Sequence, residues 1–281
     1  MMRVWKVGSA AGALGNSDFI GVFDSGLGGL SVLREIRKRL PAEKLVYVAD
    51  SAHVPYGGHD EAFIRRRSIA IADYLAEAGA RMLVVACNTA TAAAVPTLRQ
   101  HLPVPVVGME PAVKPAAAAT RSGVVGVLAT IGTLRSARFA ALLDRFGAGI
   151  EVLTEPCPGL VEAVESGALN STETVDLVER HVRPLIQGGA DTIILGCTHY
   201  TFLRPSIESA AGPGVSIIDT GSAVARQVAA RLGGGARRQG EGTERFLTTG
   251  PVQRLSPVLE MLWPGARALE ALTLPDGSSS H

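Results

Sequence analysis

The chain is poor in cysteine, lysine and aromatic residues. Its 281 residues include three cysteines and four lysines, and aromatic residues make up 5%. A small, odd number of cysteines excludes a disulfide-stapled scaffold and is typical of a reducing compartment, so we expect a cytoplasmic protein. No apolar run approaches the roughly 20 residues that cross a bilayer, so no membrane partner is expected. Residues 1–18 lack the continuous apolar centre of a signal peptide and are interpreted as a flexible extension.

An excess of charge of one sign is also lacking. Lysine and arginine number 27 against 26 aspartate and glutamate residues, which leaves a formal net charge of +1. This balance excludes the broad basic surface that nucleic acids and anionic membranes require, and it leaves open a small acidic substrate bound through local charges. With 47% hydrophobic residues, the chain has the composition of a globular enzyme that can bury a core without covalent help.

Short apolar segments alternate with helical patterns along the chain. "FIGVF" (19–23), "RMLVVA" (81–86) and "DTIILG" (191–196) are typical of buried strands, and "LSVLREIRKRL" (30–40) has one apolar face before Pro41. Strands separated by helices of this length predict an α/β fold with mainly parallel sheets and right-handed crossovers. Ligands of such folds bind at the carboxyl ends of the strands, where the unusual polar residues of this sequence gather.

Two cysteines share one setting at such strand ends. In "VVACNTATAA" (84–93) and "ILGCTHYTFL" (194–203), an apolar strand ends at a cysteine, and the start of a helix follows. The amino terminus of a helix favours a thiolate and should lower the pKa of Cys87 and Cys197. If the two α/β units face each other, the thiols can take a proton from one side of a carbon and return it to the other. Cys157, between two prolines, is interpreted as structural.

The segment "FDSGLGGLS" (23–31) is rich in glycine and lies between a strand and a helix. A dinucleotide-binding fingerprint is disfavoured, because Ser31 stands where the third glycine belongs and Asp24 would lie beside a pyrophosphate. We expect the glycines to let backbone N–H groups approach a small anion, with Asp24 free to hold an ammonium group. The alternative is a tight turn in which Asp24 and Ser25 only cap the helix.

The motifs, taken in order, resemble those of glutamate racemases, enzymes of the aspartate/glutamate racemase superfamily that supply D-glutamate for bacterial peptidoglycan. The resemblance runs from about Ile20 to about Arg231 through "GVFDSGLGGLSVLREI", "YVADSAHVPYGG", "VVACNTATAA", "VLATIGTLRS", "CPGLVEAVESG", "ILGCTHYTFLRP" and "IIDTGSAVA". It implies racemisation of L-glutamate by two cysteines, with no cofactor and no metal. It also implies two pseudosymmetric α/β domains, 19–111 with 222–281 and 112–221, with the active site between them, and it allows a homodimer.

The same resemblance implies the site residues. Cys87 and Cys197 become the two acid/base residues, and Glu165 a residue with a secondary role. From their chemistry, Asp24 is expected to assist Cys87, and His199 is expected to pass a proton to or from Cys197. The implied substrate contacts are Asp24, Ser25, Tyr56, Gly57, Asn88, Thr89, Thr130, Thr133, Thr198 and His199. The chain departs from the family at Leu160 and Glu162, where an aromatic residue and a proline are frequent, close to Glu165.

Cofactor-free chemistry also agrees with the scarcity of lysine. The usual way to acidify the α-proton of an amino acid is a pyridoxal Schiff base, which requires a lysine. None of the four lysines follows a strand as the two cysteines do. Negative charge next to the substrate carboxylate must then be stabilised by preorganised donors in a dry site, a task that suits Asn88, Thr89 and Thr198.

Other classes stay open at this point. An aspartate or hydantoin racemase would share these motifs, since substrate length is a property of the pocket. A cysteine hydrolase or amidotransferase could pair Cys197 with His199, although residues two apart on a turn rarely pair well and Cys87 would have no role. An amino-acid-binding protein with two hinged lobes needs no matched thiols. Zinc is disfavoured, because the strand-end cysteines lack CxxC-type spacing.

Overall fold

Two parallel β-sheets organise the chain, which a computed structural model describes over residues 18–233 and 240–275. The predicted extension lies outside the described residues except for Asp18, and so does most of the glycine-rich segment 233–242. The sheets have six and four strands, and adjacent strands within each sheet run parallel. The prediction of an α/β fold with mainly parallel sheets is therefore confirmed.

The first sheet takes its strands from both ends of the described chain. Its strand order is β10-β9-β2-β1-β3-β4. The elements of this part are β1 (Phe19–Asp24), α1 (Leu30–Arg39), β2 (Lys44–Ala49), α2 (Glu61–Glu77), β3 (Ala80–Val85), α3 (Asn88–His101) and β4 (Val106–Val107), followed much later by α10 (Gly221–Arg231), β9 (Thr243–Thr248), α11 (Val252–Leu262) and β10 (Leu269–Ala271). A short 3₁₀ helix, Tyr56–Gly58, lies between β2 and α2.

The second sheet is formed by the middle of the chain, in the order β6-β5-β7-β8. Its elements are α4 (Val113–Ala119), β5 (Val124–Ala129), α5 (Ile131–Leu134), α6 (Ala137–Phe146), β6 (Glu151–Pro156), α7 (Leu160–Glu165), α8 (Thr172–Gln187), β7 (Thr192–Leu195), a 3₁₀ helix (Thr198–Leu203), α9 (Arg204–Ala211) and β8 (Ser216–Ile218). After this sheet the chain returns to the first one, where β9 pairs with β2. The division into domains at residues 111 and 221 stays a prediction.

Burial explains why the central strands are recognisable in the sequence. Every residue of β1 is buried, as expected for a parallel strand with helices on both faces of its sheet. Helix α1 buries Val32, Leu33 and Ile36 on one face and ends before Pro41, which agrees with the predicted pattern. Asp60 caps α2 by accepting a hydrogen bond from the Phe63 amide, which fixes where that helix begins.

Several peripheral elements were not predicted. Strand β6 is half exposed at the edge of the second sheet, and β10 is a three-residue strand at the edge of the first. Neither has the continuous apolar run of a central strand, because an edge strand buries less of its surface. Helices α8 and α11 were also missed, and each contains an internal proline, Pro184 and Pro257, that weakens the helical signal.

Candidate active site

The thiols of Cys87 and Cys197 lie on one cavity at equivalent strand ends. Cys87 follows β3 and Cys197 follows β7, each after one linking residue whose amide donates to the adjacent central strand: Ala86 to Phe23 and Gly196 to Leu128, both at 2.7 Å. Their backbones are almost identical, with φ/ψ of −140°/126° at Cys87 and −137°/137° at Cys197. Both side chains are buried. The structure thus places both cysteine motifs at the carboxyl ends of strands, one in each sheet, and both thiols on the same cavity.

The cavity is small and nearly closed, with a volume of about 10 Å³, close to the space that one water molecule needs. Besides the two cysteines, its lining residues are Asp24, Ser25, Pro55, Tyr56, Gly57, Asn88, Thr89, Thr130, Val161, Gly196, Thr198 and His199. Nine of these are residues that the sequence implied as substrate contacts. Sequence reasoning missed Pro55, Val161 and Gly196, although each adjoins or lies within a quoted motif. Thr133 and Glu165 lie behind the cavity wall rather than on it.

Asp24 is the acidic neighbour of Cys87. Its carboxylate is fully buried at the end of β1 and hydrogen-bonds with the Cys87 thiol. Further bonds come from the Ser25 amide at 2.6 Å and the Thr198 hydroxyl at 2.9 Å. Burial raises the pKa of Asp24 above its ordinary value, although the charge of His199 and these hydrogen bonds oppose the rise. Asp24 therefore couples the Cys87 side of the cavity to the Cys197 side.

The pKa of Cys87 is raised, whereas its position at the start of a helix predicted that it would be lowered. Its Sγ does cap α3, accepting from the Ala90 amide at 3.4 Å, and this hydrogen bond favours the thiolate. Burial and the negative charge of Asp24 outweigh the bond and raise the pKa of Cys87 well above its ordinary value. The expectation of a lowered pKa was wrong for Cys87, because a helix terminus contributes less than desolvation beside a carboxylate.

His199 and Glu165 form the corresponding group beside Cys197. His199 Nδ1 lies 3.7 Å from the Cys197 sulfur, and its Nε2 lies 2.7 Å from Oε1 of Glu165. Cys197 and His199 therefore do pair, although their spacing of two residues predicted that they would pair poorly in a cysteine hydrolase. Burial opposes the positive charge of His199, but its hydrogen bonds with Cys197 and Glu165 prevail and raise the pKa of the imidazole well above its usual value.

The glycine-rich turn lies against His199 and its partner Glu165. The Leu27 amide donates to Oε1 of Glu165, and the Gly28 amide lies 3.2 Å from Nε2 of His199. One ring nitrogen cannot both donate to Glu165 and accept from Gly28, and the shorter contact together with the raised pKa identifies Glu165 as its partner. A Cβ atom on Gly26 would lie 2.2 Å from Oε1 of Glu165, and one on Gly28 would lie 2.2 Å from Nδ1 of His199. The Leu27 amide is thus bonded to Glu165, and the small-anion role of the turn stays a prediction.

Asn88 offers unused hydrogen-bonding groups to the cavity. Its side chain is buried, and within residues 18–233 and 240–275 neither Oδ1 nor Nδ2 has a hydrogen-bond partner. A buried amide without hydrogen-bond partners destabilises the folded protein, and a bound polar ligand would supply the missing hydrogen bonds. Next to it, the hydroxyl of Thr89 lies 3.0 Å from that of Thr130 and 3.1 Å from that of Thr133. This hydroxyl cluster joins the start of α3 to the start of α5.

Tyr56 faces the cavity but directs its hydroxyl away from it. The phenol donates a 2.6 Å hydrogen bond to Oδ2 of Asp50, which follows β2, where a dinucleotide-binding fold would place the acid that binds the ribose. Asp50 is fully buried and paired with Arg67, so it is unavailable to a dinucleotide. A contact from Tyr56 to a ligand must come from its ring or backbone.

Cys157 stays outside this arrangement. Its side chain is buried in the hydrophobic core and does not line the cavity. The thiol donates to the Glu155 carbonyl at 3.2 Å, and the Tyr200 hydroxyl donates to the carbonyl of Cys157. Burial raises the pKa of this thiol, which leaves it protonated at neutral pH.

The described part of the chain has neither a metal-binding cluster nor a membrane-spanning helix. It contains no group of three or more histidine, cysteine, aspartate or glutamate side chains arranged to hold a metal ion. Among the same residues, no helix combines the length and the apolar character needed to cross a membrane.

Known proteins resemble the chain over most of its length. The family model of the Asp/Glu/Hydantoin racemases matches residues 20–228. The glutamate racemase of Ectopseudomonas mendocina (strain ymp) is 58% identical over 247 residues, covering 86% of this chain and 94% of the relative. A glutamate racemase structure from Bacillus anthracis has a TM-score of 0.83 at 31% identity, over 92% of this chain and 98% of that one. The Escherichia coli glutamate racemase, solved with L-glutamate and the activator UDP-MurNAc-ala, has a TM-score of 0.82 at 34% identity, over 92% and 100%.

Proposed function

Because the chain belongs to the Asp/Glu/Hydantoin racemase family and, within it, to the glutamate racemases, we propose that it interconverts L- and D-glutamate by a two-base mechanism. It is an isomerase that acts on amino acids. In the proposed mechanism Cys87 and Cys197 act on opposite faces of the substrate α-carbon. The observation that carries the proposal is the presence of two buried thiols on one cavity, each with its own acid/base neighbour.

Proton transfer is proposed to run between the two thiols across the substrate. In the L-to-D direction, Cys197 as thiolate removes the α-proton, and the Cys87 thiol donates its proton to the opposite face. The raised pKa of Cys87 suits this role, because such a thiol is protonated in the free enzyme. In the D-to-L direction the roles reverse, and a thiolate of high pKa is the stronger base. Before the next turnover in the same direction, a proton leaves Cys197 through His199 and another reaches Cys87 through Asp24.

The carbanion has to be stabilised by groups already in place. Negative charge spreads from the α-carbon onto the adjacent carboxylate, where preorganised donors in a dry cavity act most strongly. The unpartnered Asn88 amide and the hydroxyl of Thr89 are suited to this task, and Thr198 can join them once its hydroxyl turns from Asp24 to the substrate. The Asp24 carboxylate can hold the substrate ammonium, which would offset the cost of its burial. Thr130 is proposed to complete the substrate contacts from the opposite wall.

Cofactor-free chemistry is proposed on the basis of the residues present. A pyridoxal Schiff base would need a lysine on the cavity, and the cavity lining contains none. Glu165 is proposed as a residue that acts through His199, because its bond to Nε2 favours the imidazolium. Thr133 is proposed to act through Thr89 and Thr130, since it touches both hydroxyls behind the wall.

A cysteine hydrolase gains support from one observation, the row Cys197–His199–Glu165. A nucleophile, a base and an orienting acid in this order are typical of covalent catalysis. The row leaves Cys87 and Asp24 without a role, whereas the racemase uses both. An aspartate or hydantoin racemase would use all four groups and differ only in the substrate that fits the cavity.

The cellular role follows from the product. We propose that the D-glutamate serves peptidoglycan synthesis in the cytoplasm. The Escherichia coli relative was solved with L-glutamate and the activator UDP-MurNAc-ala. We also propose that the protein forms a homodimer and that each chain consists of two domains, 19–111 with 222–281 and 112–221.

Exchange of the α-proton in D₂O without added cofactor tests the proposal. L-glutamate and D-glutamate are each incubated with the enzyme, and deuterium at the α-carbon is followed together with inversion. Deuterium in the inverted product from both enantiomers is expected, and aspartate serves as the substrate control. Inversion without deuterium from solvent would contradict the two-base mechanism. Faster turnover of aspartate than of glutamate would instead place the chain with the aspartate racemases.

A further inference from the structure

A buried ion pair lies behind the cavity wall. Arg67, on α2, donates from Nε to Oδ2 of Asp50 at 3.0 Å and from Nη2 to Oδ1 at 2.8 Å. Arg67 is 2% exposed and Asp50 is fully buried. Burial opposes the charge of Asp50, but Arg67 and the Tyr56 hydroxyl prevail and lower the pKa of Asp50 below its ordinary value. The pair is therefore ionised and bidentate at neutral pH.

Asp50 connects this pair to three other parts of the chain. Its Oδ2 accepts from the Tyr56 hydroxyl at 2.6 Å, and its Oδ1 accepts from the Thr249 hydroxyl at 2.8 Å. Its backbone amide donates to the carbonyl of Asp24 at 3.0 Å. The Asp50 side chain thus joins α2, the turn after β2 and the segment after β9 at one point.

Residues 55–57, here called the wall segment, lie directly on the substrate cavity. Its middle residue, Tyr56, is tied to Asp50 by the phenol. Its last residue, Gly57, packs so closely against Thr130 of the opposite wall that an added Cβ would lie 2.8 Å from the Thr130 Cβ. A small displacement of Tyr56 would therefore change the width of the cavity between Gly57 and Thr130.

We propose that Arg67 is a positioning residue, which holds the wall segment against the substrate through Asp50 and Tyr56. The inference rests on the proposed substrate contacts of Tyr56 and Gly57. A buried ion pair contributes little net stability compared with apolar side chains of the same volume, so stability is a weak reason for placing one here. Its bidentate geometry instead fixes the orientation of the carboxylate that receives the Tyr56 phenol.

The variants Arg67→Met, Arg67→Lys and Tyr56→Phe test the proposal by steady-state kinetics with both enantiomers. Arg67→Met should raise KM for L- and D-glutamate about tenfold or more while kcat changes much less, because substrate placement is lost and the thiols are untouched. Arg67→Lys keeps the positive charge but cannot make the bidentate contact with Asp50, so its KM should lie between those of the wild type and Arg67→Met. Tyr56→Phe removes only the hydroxyl and should raise KM in the same direction.

Arg65→Met is the matched control. Arg65 lies on the same helix and pairs with Glu61 on the surface, so this variant also loses one arginine and one ion pair. Its KM should stay at the wild-type value. If Arg67→Met does not fold, Tyr56→Phe decides, since it leaves both charges of the buried pair in place. The double variant Asp50→Asn/Arg67→Met removes both charges together and should keep the raised KM.

Gly57→Ala separates this inference from the proposed site. It alters the cavity wall directly, so it should change KM if the wall segment contacts the substrate. An unchanged KM in Gly57→Ala would overturn the assignment of the wall segment to the substrate site. A changed KM in Gly57→Ala together with unchanged KM values in Arg67→Met and Tyr56→Phe would overturn the positioning role and leave the site assignment standing. Equal losses in Arg65→Met and Arg67→Met would also overturn it.

Discussion

The hydroxyl of Thr198 donates a 2.9 Å hydrogen bond to Oδ2 of Asp24, across 174 positions of sequence. Thr198 follows Cys197, whereas Asp24 hydrogen-bonds with Cys87, so the bond joins the neighbours of the two thiols. The turn after Asp24 makes a second link, because its Leu27 amide donates to Glu165, the partner of His199. The two proposed proton-transfer groups are thus parts of one hydrogen-bond network.

The first prediction concerns the thiols. Replacing either Cys87 or Cys197 with alanine should lower racemisation by roughly 10⁴-fold or more, because one face of the α-carbon would then lack a thiol to carry its proton. Cys157→Ala is the control and should keep most of the activity, since Cys157 does not line the cavity. Polarimetry with both enantiomers measures the rates. Near-wild-type turnover in Cys87→Ala or Cys197→Ala would rule out the two-base mechanism.

The second prediction separates the two helpers by isotope effects. We assign the L-side proton to Cys197, so His199→Ala should increase the primary deuterium isotope effect on kcat when L-glutamate is the substrate. Asp24→Asn should do so with D-glutamate. Each change should lower kcat by about 10²- to 10⁴-fold, the usual contribution of a general acid or base.

The equilibrium between the enantiomers limits where this asymmetry can appear. Free L- and D-glutamate have equal energy, so kcat/KM must fall by the same factor in both directions. The comparison therefore uses kcat, isotope effects and wash-out of label for each enantiomer. Equal isotope effects on both faces in both variants would mean that Asp24 and His199 only hold the substrate.

The third prediction concerns the glycine-rich turn. In Gly28→Ala the new Cβ would lie 2.2 Å from Nδ1 of His199, so the ring must leave the position in which Nδ1 lies 3.7 Å from the Cys197 sulfur. We expect kcat to fall by about 10²-fold or more, with the isotope-effect pattern of His199→Ala. Gly58→Ala is the control, because Gly58 lies in a 3₁₀ helix and a Cβ there meets nothing within 4 Å. Equal losses in both variants would show that the Gly28 contact with His199 is unimportant.

The fourth prediction links His199 to the pH dependence of stability. Its folded-state pKa is raised above the unfolded value of about 6.5, so the folded protein binds the proton more tightly. This stabilisation is fully present below about pH 6.5 and is lost as the pH rises through the folded-state pKa. Urea unfolding of the wild type and of His199→Gln from pH 5.5 upward measures it. The difference in free energy of unfolding should shrink at high pH, and a constant difference would contradict the raised pKa.

Sequence patterns were informative where a signal is local. The buried strands β1, β3 and β7 are continuous apolar runs, and chain order alone places Cys87 and Cys197 just beyond two of them. Edge strand β6 escaped prediction because half of its surface stays exposed. Val161 and Pro55 escaped for another reason, since no local pattern distinguishes an apolar residue that lines a cavity from one that fills a core.

The sequence by itself determined the α/β class, the placement of both thiols at strand ends and, through the order of its motifs, the resemblance to glutamate racemases. Tertiary structure alone decided which groups meet those thiols. Glu165 reaches the Leu27 amide across 138 positions, and the side chain of Asp50 meets those of Arg67 and Thr249 in one buried cluster. It also decided that the pKa of Cys87 rises where its helix position predicted a fall. A charge that is solvated in an extended chain acts at full strength only once folding removes the water around it, and that removal depends on every residue packed against the site.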